Sequence, residues 1–409
     1  MTLGSLSAQI LDYGNRADPY PLYAELRKTP VRREDDGTYL VSTYYEVRSL
    51  ANDPRLSQDP RNRPPGYTRP AQSEEDTDTV LPPSFILTDP PEHDRLRATA
   101  NRPFGPPHSP RFLDSLRGEL ATVVAELLDA FEGKDQVDIV DDFAYPLPVT
   151  AICKVLGVPR DDEPRFHGLA DAVASGIDPQ HGGAGQEKSQ QARQELGAYL
   201  ADLIDTKRRH PGPGILSALA PETGPGGSMT PGDLVATAIL LLVAGHETTV
   251  NLITNATLTL LRHPDVLQRF QNDPGLAVPL VEEVLRYEPP VQFVPINVAL
   301  ADIDLVGVTI PKGSPIWLML AAANRDPKRF ENPDRFDPDR KDNEHLGFYT
   351  GIHYCFGAAL ARIEAQLALP ELFRRVKNFR LLEDPPPYRA NAVLRGPRHL
   401  PVAIEGFTV

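Results

Sequence analysis

Cys355 sits in the run Phe348-Tyr349-Thr350-Gly351-Ile352-His353-Tyr354-Cys355-Phe356-Gly357, and a helical pattern, Ala358 to Arg362, begins directly after it. Glycine lets backbone N–H groups approach a sulfur closely. The N-terminus of the following helix favours negative charge. Both effects lower a thiol pKa and temper the donor strength of the sulfur, so the arrangement suits a thiolate metal ligand. The second cysteine, Cys153, lies in the apolar run Val149 to Val155 and reads as a small core residue.

Three further groups carry chemistry. Ala244-Gly245-His246-Glu247-Thr248-Thr249 sets an acid beside a hydroxyl inside an apolar helical pattern, which is costly unless solvated or functional. His246-Glu247 could open a zinc-protease motif, but that motif needs a second histidine where Val250 stands. A structural threonine bonded to the preceding turn is the other reading of Thr248. Glu283 and Arg286 share one helical face at i, i+3, a common pairing on solvated helices. Asn332-Pro333-Asp334-Arg335-Phe336 follows them downstream. His93-Asp94-Arg95-Leu96-Arg97, after Pro90-Pro91, offers a guanidinium that can grip a carboxylate through two bonds, or is simply a solvated basic face.

Long helices are expected to position these groups. Apolar spacing predicts helices over Arg111 to Glu132, Leu147 to Leu156 and Gln190 to Arg209, the last ending in three cations that suit the helix dipole. Thr230 and Pro231 signal the start of a helix running to about Arg262. Apolar on most faces, it should cross the interior. The glycine-rich stretch Ser175 to Lys188 reads as a mobile lid loop. Strands are expected at Tyr39 to Ser42, Ala299 to Leu305, Ser314 to Met319 and Leu400 to Ile404. The fold class is mainly α with a small β-rich portion, as one domain over 1–409.

The chain of 409 residues is 41% hydrophobic, enough to bury a core and line a pocket. A net charge of -14 argues against nucleic acid as a partner. Two cysteines make no disulfide framework, which fits a reducing cytoplasm. The start, MTLGSLSAQILDYGN, shows no signal peptide, and the most apolar stretch, Ala236 to Gly245, is about half a bilayer span. A soluble, cytoplasmic, monomeric protein is expected.

Phe-x-x-Gly-x-His-x-Cys-x-Gly followed by Ala-x-Leu-Ala-Arg resembles the heme-binding loop of the cytochrome P-450 family, and the four groups stand in the family's order. The resemblance implies the fold of that family, with heme b between the long helix and the helix after the cysteine. It implies Cys355 as axial iron ligand, His353, His93 and Arg97 on the heme propionates, and Phe348, Gly351 and Gly357 shaping the loop. Ala244, Gly245, Glu247 and Thr248 would form the oxygen-activation motif. There Glu247 and Thr248 deliver protons through water, and Gly245 lets the helix distort. Glu283 and Arg286, with Arg335 as their partner, would brace the cysteine loop. Two departures stand out. Tyr349 replaces the usual glycine, and Asn297 replaces a cation that faces a propionate.

The implied reaction is hydroxylation or epoxidation of a hydrophobic natural product, such as a polyketide, terpene or steroid, with O2. The expected pocket is lined by Phe85, Ile86, Leu240, Val243, Phe293, Val294, Val393 and Leu394. No flavin or nicotinamide domain is evident, so electrons are expected from a ferredoxin and its reductase, docking near Arg102, Arg111 and Arg362. A peroxide-driven enzyme, an oxidative-coupling enzyme and a non-enzymatic heme sensor are the alternatives. The acid–alcohol pair speaks against the first and the last.

Overall fold

The computed structural model of the chain describes residues 5–63, 81–103, 109–179, 184–224 and 226–407. Helices dominate them: α1 (Leu6–Leu11), α2 (Tyr20–Arg27), α3 (Tyr44–Ala51), α4 (Glu92–Asn101), α5 (Ser109–Asp129), α6 (Pro146–Leu156), α7 (Glu163–Ser175), α8 (Ala184–Arg209), α9 (Ile215–Leu219), α10 (Pro231–Arg262), α11 (Pro264–Asn272), α12 (Ala277–Tyr287), α13 (Leu320–Ala323) and α14 (Ala358–Arg375). The strands are short: β1 (Val31–Arg33), β2 (Tyr39–Val41), β3 (Leu56–Ser57), β4 (Gln136–Asp138), β5 (Val294–Ala299), β6 (Ile303–Leu305), β7 (Val308–Ile310), β8 (Pro315–Leu318), β9 (Val376–Lys377), β10 (Arg380–Leu381), β11 (Pro401–Ala403) and β12 (Gly406–Phe407). The mainly α class with a small β portion is what the sequence implied.

By its contacts the chain divides into two compact units, one of residues 1–56, 119–147 and 248–409, the other of residues 57–118 and 148–247. In the first, a sheet of order β1-β2-β8-β5-β3 carries the core. β2 pairs parallel with β8 (Leu40 opposite Trp317) and β5 antiparallel with it, the register shifting between Val294 and Asn297. Val41, Tyr44, Val47, Leu50, Ile316 and Phe330 bury their side chains on that sheet. A Leu- or Phe-sized side chain contributes about 1.5–3 kcal/mol when buried. One predicted strand is displaced: the pairing segment is β5, ending at Ala299. Ile303 to Leu305 instead forms a hairpin with β7 through Val306 and Gly307, both at positive φ, the backbone that a two-residue turn between twisted strands needs.

The second unit holds α4, the antiparallel pair α7 and α8, and α9. α8 starts at Ala184, six residues before the predicted Gln190, so residues 184–188 of the expected lid are helical and not loop. Packing overrides the weak helix propensity of glycine there. A Cβ on Gly176 would fall 2.8 Å from the Ser189 Cβ, and the Ser189 hydroxyl donates to Val173 O at 3.3 Å, which draws α8 against α7. Residues 180–183 lie outside the described residues.

α10 begins where the sequence placed it. The Thr230 hydroxyl accepts from the Asp233 N–H at 3.0 Å, and the Asp233 carboxylate accepts from the Thr230 N–H at 2.9 Å, a reciprocal cap of the exposed first-turn donors. The helix is long and apolar enough to cross a membrane, but most of its apolar window is buried inside the protein, as in a core helix.

Candidate functional site

The cysteine loop is built by backbone geometry. The Cys355 N–H donates to Phe348 O at 2.9 Å and the Tyr349 N–H to Leu346 O at 2.8 Å. Tyr349 has a φ of 60° and Gly351 a φ of 70°. Tyr349 thus takes the left-handed backbone that its family position gives to glycine, and its ring packs on the sheet core. At Gly351 a Cβ would come 2.7 Å from Ala51 O, so no side chain fits. Cys355 is a half-buried thiol two residues ahead of the Gly357 N-cap of α14. No atom lies within 4 Å of where a Gly357 Cβ would sit. His353 is half-buried in the preceding turn. Phe348 is buried beside Tyr354, ring centroids 6.4 Å apart, with the Arg362 guanidinium 4.5 Å from its centroid. Cys153 is the opposite case: fully buried, its thiol is pushed up to about 12 by burial.

A buried ion pair braces this loop. Arg286 and Glu283 are fully buried and bonded twice, each at 2.8 Å. Glu283 also accepts from the Asp337 N–H at 2.8 Å and from the Asn343 side chain at 3.2 Å. Arg286 donates to the carbonyls of Asn324, Pro333 and Arg335 at 3.0, 2.8 and 3.1 Å. The expected third member is corrected here: Arg335 offers its backbone carbonyl, and the second guanidinium on Glu283 is that of Arg340, at 3.3 Å. The chain turns through Asn332 at a φ of 46° and brings the carbonyl of 335 inward. Asn324, missed in the sequence, links this network to the loop. Its side-chain oxygen accepts from the Leu346 N–H at 2.7 Å, and its amide donates to Leu285 O at 3.3 Å. Its only signal was a polar residue closing the apolar run Leu320 to Ala323. Glu282, held by Arg362 at 2.6 and 2.8 Å and by His345 at 3.1 Å, ties α12 to α14. Burial pushes its carboxyl up, but those two partners win and set it at about 2.

On α10, Ala244 is exposed and Leu240, Gly245 and Thr248 are half-buried, while Leu241, Leu242, Val243, His246, Glu247, Thr249 and Val250 are buried. Positions 240, 244 and 248 recur every fourth residue, so one stripe of an otherwise buried helix is accessible. Thr248 lies on it and buried Glu247 adjoins it. α10 is helical on both sides of Gly245, and the glycine has a packing role. A Cβ there would come 3.0 Å from Ile152 of α6.

His93 and Arg97 lie one turn apart on α4. His93 is buried and bonds the Asp94 carboxylate at 2.8 Å through Nδ1, leaving Nε2 as its other ring nitrogen. Arg97 lies 5.9 Å from the centroid of buried Phe85, and Ile86 beside it is half-buried. Asn297 donates to Val294 O at 2.9 Å and Ile316 O at 3.3 Å, so its amide spans the register shift of the sheet. Phe293 is fully buried and stacked on Trp317 at 5.0 Å. Val294 is half-buried. Val393 and Leu394 are buried, their N–H groups donating to Asn391 Oδ1 at 2.9 and 3.0 Å. Of the proposed surface cations, Arg102 is exposed but pairs with Glu222 at 2.6 Å, and Arg362 is committed to Glu282. The side chain of Arg111 lies outside the described residues.

A family model described as Cytochrome P450 matches residues 183–275 and 276–400. The chain is 38% identical over 411 residues to the cytochrome P450 monooxygenase PikC of Streptomyces venezuelae, covering 97% of this chain and 94% of that protein. It is 36% identical to the 6-deoxyerythronolide B hydroxylase of Saccharopolyspora erythraea, covering 95% and 96%. The structure of ligand-free CYP164A2 from Mycobacterium smegmatis superposes with a TM-score of 0.88 at 38% identity, covering 97% of this chain and 99% of that one.

Proposed function

This chain belongs to the cytochrome P450 family, a heme-iron monooxygenase on that ground, and we propose that it hydroxylates or epoxidises a hydrophobic natural product with electrons from a ferredoxin and its reductase. The half-buried Cys355 thiol at the N-terminus of α14, in a chain whose other cysteine is sealed in the core, carries this reading.

The donor set fits heme b. A thiol stands at a helix N-terminus beside Gly357, where no atom crowds the missing side chain. Two imidazoles, His93 and His353, and the Arg97 guanidinium would hold the propionates. Asn297, spent on the sheet, leaves that task to them. Heme supplies the redox chemistry when bound, its thiolate ligand favouring O–O cleavage. The protein's own part is placement and protons. Leu240 and Ala244 present an apolar, accessible stripe to a substrate and keep its carbon skeleton dry. Glu247, buried next to that stripe, holds a proton and passes it through water to the Thr248 hydroxyl. Thr248, half-buried on the stripe, would hold that proton at its hydroxyl for the oxygen substrate once the electron donor has reduced it. Exposed Ile352 and Tyr354, flanking Cys355, offer contact surface to an electron donor. The protein would act as one domain over 1–409, monomeric and cytoplasmic.

The test is a carbon monoxide difference spectrum of the reduced protein. The expected result is a strongly red-shifted Soret band that is lost in Cys355→Ala. A protein that takes up no heme, or an alanine variant with the same spectrum, sinks the proposal.

A further inference from the structure

Arg193 of α8 is a partly buried cation whose one hydrogen bond among the described residues is a long one, 3.4 Å, to Pro82 O. No carboxylate among the described residues lies within ion-pair range of it. Four buried arginines elsewhere in the chain hold a carboxylate: Arg286 holds Glu283, Arg325 holds Glu288, Arg375 holds Asp129 and Arg395 holds Glu288. Burial lowers the Arg193 pKa, and no charge among the described residues opposes it. A desolvated guanidinium without a counter-ion is costly. Its planar fork matches a carboxylate through two parallel N–H···O bonds.

Its neighbours are the loop at 81–82 and α10. One turn along α8, a Cβ on Gly197 would lie 2.9 Å from Leu81 Cδ1 and 3.9 Å from Ile239 Cδ1. The Arg193 face of α8 therefore packs on the loop at 81–82 and on α10 at Ile239. Three residues past Pro82 that loop carries Phe85, and the residue after Ile239 is Leu240, the first of the accessible stripe. All of these residues belong to one compact unit.

We propose that Arg193 anchors a carboxylate of the substrate, so that the enzyme takes hydrophobic acids rather than neutral molecules. The inference rests on the monooxygenase reading, because it treats Leu240 and its neighbours as substrate-facing. The carboxylate supplies a charge that none of the described residues supplies. The apolar body of the acid then runs along Phe85 and Leu240.

The test titrates the ferric holoenzyme with dodecanoic acid and with dodecan-1-ol and follows the low-spin to high-spin change. The acid is expected to bind about tenfold or more tightly than the alcohol. Arg193→Ala should erase that preference, leave the alcohol within about twofold and keep the heme content. Arg193→Lys should restore part of it. Three results overturn the proposal: no preference in the natural protein, equal weakening of both ligands in Arg193→Ala, or loss of heme from that variant. Failure of the monooxygenase reading shows separately, as a missing Soret shift with carbon monoxide. Calorimetry with the same two ligands and the same criterion then decides the Arg193 question.

Discussion

Thr248 and Glu247 differ by one position and by everything that matters to a proton. The acid is buried, while the hydroxyl lies on the accessible stripe of α10. Thr248→Ala should keep substrate binding and reductant consumption but divert electrons to hydrogen peroxide. Measured coupling of product to reductant should fall several-fold, and full coupling would count against the role. In the cysteine loop, Gly351 and Tyr349 both sit at positive φ, yet only Gly351 lacks space for a side chain. Gly351→Ala should therefore cost about 1–3 kcal/mol and lower heme retention, since backbone strain and a clash coincide. Tyr349→Gly relieves the left-handed strain and gives up packing on the sheet core, so its net effect should stay within about 1 kcal/mol. Urea denaturation of both variants reads the difference. Comparable losses would show that the Gly351 contact is not what holds the loop.

At the scale of elements, α12 is the spine of the site. Glu283 and Arg286 point to the chain that precedes the cysteine loop, and Glu282 points to α14. Breaking a buried pair leaves a bare charge, at a cost of about 3–5 kcal/mol. The corrected membership gives a sharper comparison. Arg340→Ala removes a guanidinium from Glu283 and from the Glu331 carbonyl and should cost about 1.5–3 kcal/mol, the scale of a charged hydrogen bond. Arg335→Ala keeps the carbonyl that Arg286 uses, and should be nearly silent. Thermal unfolding of the two variants side by side decides it, and the reverse order would restore Arg335 to the network. The Glu-x-x-Arg spacing revealed the pair, because i, i+3 residues share a helix face. It could not reveal which later arginine returns to it, because the turn at Asn332 sets that and leaves no periodic trace.

For the molecule as a whole, two glutamates pull the pH dependence in opposite directions. Glu282 is depressed to about 2. Its stabilisation is present above the unfolded value of about 4.3 and lost as pH falls toward 2. The difference of roughly two units amounts to at most about 3 kcal/mol. Glu364 of α14 is fully buried, and among the described residues neither of its oxygens finds a donor. Burial pushes its carboxyl well above the ordinary range. The native state then holds a proton that the unfolded chain releases, so stability drains as pH rises above about 4.3. Denaturant midpoints at pH 3, 5 and 8 should show the deficit of Glu282→Gln present at pH 5 and 8 and closing at pH 3. Glu364→Gln should lose less stability than the natural protein between pH 5 and 8. Parallel pH profiles for Glu364→Gln and the natural chain would mean that the buried acid is not neutral.

The sequence alone determined the glycine-flanked place of Cys355, the adjacency of Glu247 and Thr248, the limits of α10 and the mainly helical class. Each is written in local chemistry: glycines beside a cysteine, Thr230 followed by Pro231 at a helix start, apolar residues repeating at helical spacing. Tertiary structure alone decided that Arg340 rather than Arg335 reaches Glu283, that α8 begins at Ala184, that Gly245 makes room for Ile152, and that Arg193 faces no acid among the described residues. Those outcomes depend on which distant segments meet. A contact between residues tens to hundreds of positions apart is fixed by how the whole core packs, not by any spacing along the chain.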